Sequence, residues 1–420
     1  MGDGKSPVPD IRIDQFEGRV AITSSSSGTV ELSLQNAVNL RTIVTKYALQ
    51  VEWMRPLELP VSPDAAQRFI SFAKHSAHRC FEAGIDDEFD LWLEALDLIK
   101  HEIGNVKVRG EPLYVEITDN SGEYLPWEWL GELDRSDDYI DEALSTLGFA
   151  AIVCRRAVRH EARRNRGMAE GCLDARQQQQ LPVRLFSNPE LRWTRIEEAF
   201  FRHSDHVDLL GPLPEQAGNG KLDLAEQLVD PCWARPDRPD QVVHMSCHHE
   251  AKINLKTASA AELLLSESLL RFGTQAEPNF EITLADLQHN LMTVKGRRQV
   301  TEQRPLIFFN ACRGNFFPFT TESAMRVLLR NGNRGMISTA VRVPDRFASK
   351  LAVFFYERLL DGGCTAPEAL LYAKWRMLQS QASPLGLLYS YYGIPGLRVL
   401  PVRRVPGENP IVTIWNGGSP

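Results

Sequence analysis

The sequence has neither a basic excess nor a long apolar run, and we expect no secretory leader. Its 420 residues carry 47 Lys and Arg against 54 Asp and Glu, which gives a formal net charge of −7. General nucleic-acid binders usually show the opposite balance. No apolar stretch approaches the roughly 18 residues of a membrane helix, and the first residues lack the apolar core of a secretory signal. We therefore expect no membrane partner, and nucleic acid as an indirect partner at most.

The seven cysteines also lack a regular spacing, and no CxxC pair occurs among them. A disulfide framework is therefore not expected, and a reducing cytoplasm is the predicted location. In that compartment a cysteine is either a small buried hydrophobic residue or a reactive thiol. The sequence around each cysteine has to decide between the two.

A shift in composition separates two halves of the chain. Residues 155–166 contain six arginines, and residues 177–180 are four glutamines. We interpret this segment as a solvated connector, with a partner- or RNA-contacting patch as the alternative. The predicted domains are accordingly 1–180, 181–405 and a tail over 406–420.

Hydrophobic patterns predict an α/β chain. In the first half they predict a hairpin over 19–34, helical structure over about 63–103 with Ser62 as N-cap, and strands at 113–117 and 149–153. In the second half the predicted strands are 183–186, 207–210, 241–246, 306–309, 335–339 and 397–400, and the predicted helices are 193–202, 222–229, 321–330, 345–360 and 365–379. This alternation predicts crossover connections and a mostly parallel sheet flanked by helices.

Two of these strands are followed by residues with reactive side chains. His248 follows the strand at 241–246, and Cys312 follows the apolar strand at 306–309. In open α/β sheets, functional groups collect beyond the carboxyl ends of strands, so neighbouring strands would bring the two residues together. An imidazolium beside a thiol lowers the thiol pKa from about 8.5 and raises the thiolate fraction. The pattern predicts a cysteine nucleophile with a histidine base.

The segments around both residues resemble the CHAT family of caspase-like (clan CD) cysteine peptidases, which are related to separases and caspases. Residues 242–248 (VVHMSCH) and 305–312 (PLIFFNAC) carry the resemblance, and 125–128 (LPWE) and 392–396 (YGIPG) support it. It extends over roughly residues 65 to 402. It implies a caspase-like catalytic domain over 181–405, an N-terminal α/β half that is regulatory or a pseudo-protease, and an enzyme without metal or organic cofactor.

On this resemblance Cys312 is the nucleophile, and His248 is the general base and later the acid for the leaving amine. The backbone N–H groups of Cys312 and His249 are the implied oxyanion donors. The family pattern has glycine directly after the catalytic histidine, where this chain has His249. A side chain at that position is expected to narrow the cleft or to change what binds there.

Nearby residues leave several interpretations open. His244 is either a packed strand residue or part of the site, and Asn310 is a candidate for orienting it. His249 competes with His248 for the role of base. Asp345 is either a helix N-cap or an acid in the cleft that orients the site or selects a basic residue.

Two further features have structural interpretations. A metal site built from the histidines and the cysteine of 244–249 is disfavoured, because adjacent strand residues point to opposite faces and the spacing matches no usual zinc pattern. Cys247 is expected in the core for the same reason. Trp127 and Trp129 are interpreted as core residues, with partner binding as the alternative.

The sequence thus predicts a regulated cytoplasmic cysteine endopeptidase that cleaves a specific protein substrate. The resemblance implies a role in prokaryotic antiviral defence or cell death, a substrate such as a gasdermin-like pore former or another effector, and an activating partner or sensor protein. The alternative is a catalytically weak caspase-like scaffold that binds a partner protein through its cleft, which His249 in place of glycine favours.

Overall fold

The computed structural model describes most of the chain and divides it into two compact units. The first unit combines Met1–Ala162 with Gly363–Gly396, and the second combines Arg163–Gly362 with Leu397–Arg403. The described residues are 8–56, 58–85, 88–121, 124–134, 136–157, 172–175, 179–213, 221–251, 268–274, 280–289, 304–311, 328–329, 333–361 and 363–400. The domain boundary at residue 180 and the roles of the two halves stay predictions.

The elements alternate between strands and helices along the chain. Up to residue 157 they are β1 Ile11–Phe16, β2 Arg19–Ser24, β3 Gly28–Ser33, α1 Ala37–Met54, α2 Pro63–Gly84, α3 Phe89–Arg109, β4 Leu113–Asp119, a 3₁₀ turn Trp127–Trp129, α4 Tyr139–Leu144, α5 Leu147–Ala150 and β5 Ala151–Ala157. From residue 172 they are β6 Cys172–Asp174, β7 Leu181–Ser187, α6 Thr194–His203, β8 Val207–Leu213, α7 Lys221–Val229, β9 Val242–Ala251, β10 Ser268–Arg271, β11 Glu281–Thr283, β12 Leu306–Ala311, β13 Gly335–Thr339, α8 Asp345–Leu360, α9 Ala366–Gln381, a 3₁₀ turn Pro384–Leu388, β14 Tyr389–Gly393 and β15 Arg398–Leu400.

The sheet of the first unit has the order β14-β5-β4-β1-β2-β3. The pairs from β14 to β1 are parallel, and β2 and β3 add an antiparallel edge. The hairpin predicted over 19–34 is confirmed as β2–β3. The turn before it uses Gly18 at a φ of 76°, a left-handed conformation that glycine adopts without strain.

The helical structure predicted over about 63–103 is confirmed as two helices, α2 and α3. α2 begins after Ser62, whose side chain accepts a hydrogen bond from the Ala65 N–H at 3.3 Å, as predicted for an N-cap. It ends where Ile85 becomes extended and bridges to the chain just beyond β3. Phe81 of α2 stacks on Trp92 of α3 with 5.0 Å between ring centroids. The apolar period continues through the break because both helices contribute to one core.

Part of the strand predicted over 149–153 is helical. Phe149 and Ala150 end α5, and the strand begins at Ala151. The Phe149 ring lies edge-on to Trp375 at 5.3 Å, so its apolar character reflects core packing, which a helix end satisfies as well as a strand does.

The prediction that a solvated connector begins at residue 155 is wrong for that residue. Arg155 lies in β5 and is 1% exposed. Its Nε donates to the Glu128 carboxylate at 2.8 Å and its Nη2 to the Leu125 carbonyl at 2.7 Å. A buried guanidinium is stable only with such partners, and the sequence does not reveal a carboxylate 27 positions earlier. Residues 158–171 lie outside the described residues.

The second unit contains the predicted mostly parallel sheet. Its order is β8-β7-β9-β12-β13, and every neighbouring pair in this run is parallel. The distal part of β9 pairs with β10, which pairs with β11, and both of these pairings are antiparallel. β6 and β15 form a separate parallel pair. The helix predicted at 321–330 lies outside the described residues except for 328–329.

Two helices of this unit pack together over β9 and β12. α6 follows β7, α8 follows β13, and Phe201 of α6 contacts Tyr356 of α8 edge-on at 4.9 Å. The His244 ring of β9 lies beneath them and stacks on Phe308 of β12 at 5.1 Å. No helix within the described ranges is long and apolar enough to cross a membrane.

Candidate active site

The register of β9 and β12 fixes the geometry of the candidate site. The two strands are parallel neighbours, with Asn310 opposite Ser246 and Ala311 opposite Cys247. The next residue along β9 is His248, and the next residue along the chain from Ala311 is Cys312. Cys312, the predicted nucleophile and oxyanion donor, lies outside the described residues.

β9 is longer than predicted, and His248 lies within it. The predicted strand ends at 246, whereas β9 continues to Ala251. Its second part is a strand because β10 runs alongside, with Leu270 opposite His249 and Arg271 opposite His248. The pleat therefore still governs side-chain direction at the histidines, which places His244, Ser246 and His248 on one face.

Cys247 and His249 point to the other face and are both buried. Burial raises the pKa of the Cys247 thiol well above its usual range, so this cysteine is a core residue as expected. Burial lowers the pKa of His249 to about 4. Its ring lies edge-on to Phe309 at 6.0 Å. At neutral pH His249 is an uncharged core histidine, and its side chain does not share the face of His248.

An acidic residue that the sequence analysis missed faces His248. Glu190 lies just beyond β7, with its Oε2 3.7 Å from His248 Nε2, and its side chain is 38% exposed. Asn188 holds this loop. Its side chain donates to the carbonyls of Arg271 and Gly273 at 3.0 and 2.9 Å, and its Oδ1 accepts from the Glu190 N–H at 2.8 Å. The available signal was an Asn-Pro-Glu segment directly after a strand that neighbours the histidine strand.

His244 of β9 and Asn310 of β12 are buried, and both contact a second acidic residue. Asn310 Nδ2 donates to Glu197 Oε1 at 2.6 Å, and His244 Nε2 lies 3.2 Å from Glu197 Oε2. Ser246 hydrogen-bonds the same Oε2. The side chains of Glu197, His244, Ser246 and Asn310 are each at most 1% exposed. The structure thus brings both predicted orienting candidates together, around a carboxylate that the sequence analysis did not single out.

Asp345 does not cap its helix as predicted. Pro344 occupies the N-cap position of α8, and no side chain caps it. Asp345 is the first helical residue, and its Oδ1 accepts from the Arg346 N–H at 2.9 Å. The extended Pro344 takes the position before the helix, so α8 begins one residue earlier than a capping aspartate at 345 would require.

Two tryptophans and the cysteines remain among the residues that the sequence singled out. Trp127 and Trp129 are buried, and their indole N–H groups donate to Gln15 Oε1 at 3.2 Å and to the Leu387 carbonyl at 3.1 Å. They are core residues, as interpreted. The six cysteines in the described ranges are all free of disulfide bonds. Within those ranges, no group of three or more His, Cys, Asp or Glu side chains is placed to hold a metal ion.

Comparison with known proteins agrees with this class of fold. The CHAT domain family model matches residues 175–396, more than half of the chain, and the chain belongs to this family. The architecture is α/β with a mostly parallel sheet flanked by helices. No match was found among curated proteins.

Solved structures of two cysteine peptidases are similar at low sequence identity. The Saccharomyces cerevisiae separase–securin complex matches with a TM-score of 0.44 and 8% identity, over 91% of this chain and 30% of that chain. The Arg-specific cysteine proteinase gingipain R matches with a TM-score of 0.41 and 10% identity, over 86% of this chain and 76% of that one. A Porphyromonas gingivalis complex of the pro- and mature domains of that type of proteinase matches with a TM-score of 0.42 and 10% identity, over 73% and 70%. This chain therefore spans less than a third of the length of the separase chain.

Proposed function

We propose that this chain is a cysteine endopeptidase with Cys312 as nucleophile and His248 as general base. The β9–β12 register carries the proposal. Ala311 lies opposite Cys247. The base His248 follows Cys247 on β9, and the nucleophile Cys312 follows Ala311 in the sequence. Consecutive Cα atoms are about 3.8 Å apart, which keeps Cys312 close to the end of β12. Membership of the CHAT family supports the same pair.

The proposed mechanism is acyl transfer through a thiolate. His248 takes the thiol proton, and the thiolate attacks the scissile carbonyl. The N–H groups of Cys312 and His249 are the proposed donors to the oxyanion. The imidazolium then protonates the leaving amine, and water hydrolyses the thioester, which releases the acid product and regenerates the thiol.

Glu190 is the proposed partner that orients His248. Its carboxylate is near Nε2, which leaves Nδ1 as the nitrogen that exchanges the proton with Cys312. Separations between catalytic groups are often long without substrate and shorten in the complex, so 3.7 Å is compatible with this role. A negative charge at that position also stabilises the imidazolium form.

The first prediction concerns the reactivity of Cys312. A short pulse of iodoacetamide at pH 7, followed by peptide mass spectrometry, should label Cys312 at least about tenfold faster than the partly exposed Cys172, because only an activated thiol is largely ionised at that pH. His248→Ala should abolish this advantage, and Glu190→Gln should reduce it. Cys312→Ala should abolish cleavage in a panel of fluorogenic peptides that differ in the residue before the cut.

Equal labelling of Cys312 and Cys172 in the wild-type protein would contradict the proposal and support the scaffold alternative. The structure weakens the sequence argument for that alternative. His249 replaces the family glycine, but its side chain is buried on the opposite face of β9 from His248, so it does not narrow the face that His248 occupies.

Family membership supports a finer proposal for the biological role. We propose a specific protein substrate, such as a gasdermin-like pore former or another effector, and an activating partner or sensor protein, in a defence or cell-death response in the cytoplasm. The first half of the chain is the proposed regulatory or pseudo-protease part. Co-expression with the products of neighbouring genes, followed by a search for cleavage that depends on Cys312, tests both substrate and trigger.

A further inference from the structure

A buried carboxylate joins the two strands that lead to the proposed catalytic pair. Glu197 is on α6, which is the helix over the sheet, and not on either strand. One of its oxygens, Oε1, accepts from Asn310 of β12 at 2.6 Å. The other, Oε2, accepts from Ser246 of β9 and lies 3.2 Å from His244 Nε2. Each strand is therefore bound by its own carboxylate oxygen.

These contacts lie one pleat before the proposed catalytic residues. Asn310 and Ser246 are direct cross-strand neighbours. Ser246 is two residues before His248 in a continuous strand, so the two side chains share a face. Asn310 is likewise two residues before Cys312 in the sequence. A shift of β9 against β12 at this level would change the separation of the residues that follow.

The hydrogen bonds of this cluster are consistent with one direction of donation. Burial, followed by the charge of Glu197, raises the pKa of the Tyr356 phenol well above its usual range, so the hydroxyl keeps a proton that it can donate to His244 Nδ1, which is 3.1 Å away. With that donation the ring hydrogen of His244 is on Nε2, where Ser246 Oγ is 3.1 Å away and Glu197 Oε2 3.2 Å. In this arrangement the Glu197 carboxylate accepts from both His244 and Ser246.

Aromatic rings surround the cluster and exclude water. Phe201 and Tyr356 both lie edge-on to the His244 ring at 5.5 Å between centroids, and Phe308 stacks on it at 5.1 Å. In such surroundings hydrogen bonds to a charged group are stronger than in water, and a donor left without an acceptor is costly. The cluster therefore holds one arrangement of the two strands.

We infer that Glu197 is a positioning residue for the Cys312–His248 pair. The inference rests on the proposed function and extends it to a group that does not itself touch the reacting atoms. An amide at this position has only one acceptor oxygen, so Glu197→Gln can satisfy the donors of one strand and must place an NH₂ group against those of the other. The ends of β9 and β12 would then no longer be hydrogen-bonded to the same carboxylate.

The test is the pH dependence of Cys312 alkylation by iodoacetamide in the full-length protein. Glu197→Gln should slow alkylation at pH 7 by about tenfold to a hundredfold, the range expected when reacting groups are displaced by about an ångström. Its pH midpoint should rise towards that of an ordinary thiol, about 8.5, because the imidazolium no longer stabilises the thiolate as well. A loss of stability alone would not move this midpoint in the folded protein.

The neighbouring residue provides a matched control. Glu198 is on the same helix, but its carboxylate pairs with Arg202 at the surface at 2.8 Å, so Glu198→Gln should keep the wild-type rate and midpoint. If Glu197→Gln does not fold, Ser246→Ala replaces it as the decisive variant. It removes one donor on the β9 side and should slow alkylation about tenfold in the same direction, the lower end of the effect of one hydrogen bond to a charged group.

Two outcomes separate this inference from the proposed function. If the wild-type protein reacts no faster than His248→Ala, there is no catalytic pair to position, and both proposals fall. If the wild-type protein exceeds His248→Ala but the folded Glu197→Gln variant, or Ser246→Ala in its place, has the wild-type rate and midpoint, only the role of Glu197 is overturned.

Discussion

His248 and His249 are neighbours in sequence, but the pleat of β9 gives them different surroundings. His248 faces the partly exposed carboxylate of Glu190. His249 faces the core, and its burial lowers its pKa to about 4. A histidine that must stay uncharged in the folded protein opposes acidification, since the unfolded chain takes up its proton near 6.5.

We expect this difference to appear in the pH dependence of stability. Because the folded pKa of His249, about 4, lies below the unfolded value, the unfolded state binds more protons between these values, and stability falls as the pH drops through that window. Between pH 7 and pH 5 the wild-type protein should lose about 2 kcal/mol more unfolding free energy than His249→Leu. Urea unfolding at the two pH values measures this, and equal losses in both proteins would contradict it.

The residues of the site differ in how far the sequence could predict them. His248 and Cys312 stand out because an apolar strand precedes each of them. Glu197 does not, because its sequence neighbourhood contains Arg195, Glu198 and Arg202 and resembles any solvated helix face. Only the packing of α6 on the sheet shows that one of these four charges is buried. Glu190 could not be predicted for a similar reason, because its partner His248 is 58 positions away in the sequence.

At the scale of elements, α9 brings a cation into the core of the first unit. Lys374 is fully buried near the Glu128–Arg155 ion pair, and its Nζ lies 3.5 Å from the Gly148 carbonyl. Burial, together with the nearby Arg155, lowers the pKa of Lys374 to about 8 against the attraction of Glu128. One carboxylate thus faces two cations.

This excess of positive charge predicts opposite effects for two substitutions. Glu128→Gln should lower the unfolding free energy by about 3 to 5 kcal/mol, because it leaves buried charges uncompensated. Lys374→Met should leave it unchanged or raise it at pH 7. The folded pKa of Lys374 lies below the unfolded value, so between pH 7 and 9.5 the wild-type protein should gain about 2 kcal/mol that the Met variant does not. Denaturant titrations at both pH values decide, and a large loss in Lys374→Met at pH 7 would contradict the charge argument.

Element boundaries followed from sequence where local signals determine them. α8 and β13 have the predicted bounds, and α9 begins after Thr365, which forms a capping box with Glu368. Local signals were insufficient where tertiary pairing decides the structure. β9 extends past residue 246 because β10 lies beside it, and this pairing joins residues about 20 positions apart, beyond the reach of local patterns. The break between α2 and α3 depends in the same way on a bridge to the end of the hairpin.

At the scale of the whole molecule, the first unit is discontinuous in sequence. Residues 363–396 belong to it although some 200 residues separate them from its N-terminal part. The Trp129 indole donates to the Leu387 carbonyl, the Trp375 indole to the Phe149 carbonyl at 3.0 Å, and the Ser390 hydroxyl to Glu128 at 2.7 Å. The late segment thus completes the core of the early one.

A fragment of residues 1–162 should therefore not fold cooperatively by itself. It would expose the apolar surface that α9 covers and leave the Trp129 indole without its acceptor, and buried groups without partners are costly. Near-UV circular dichroism and a thermal melt of the fragment should show no sharp transition, and joining residues 363–396 to it through a flexible linker should restore one. A cooperative melt of 1–162 alone would contradict this.

The return of the chain into the first unit has a consequence for synthesis on the ribosome. Domains usually fold in the order in which they emerge, N-terminal first. Here residues 163–362 of the second unit are translated between the two parts of the first unit, so the first unit stays open until α9 and β14 appear. The nascent chain would carry an open N-terminal sheet while most of the second unit has already been made, and any factor that binds that open sheet would act before the first unit exists.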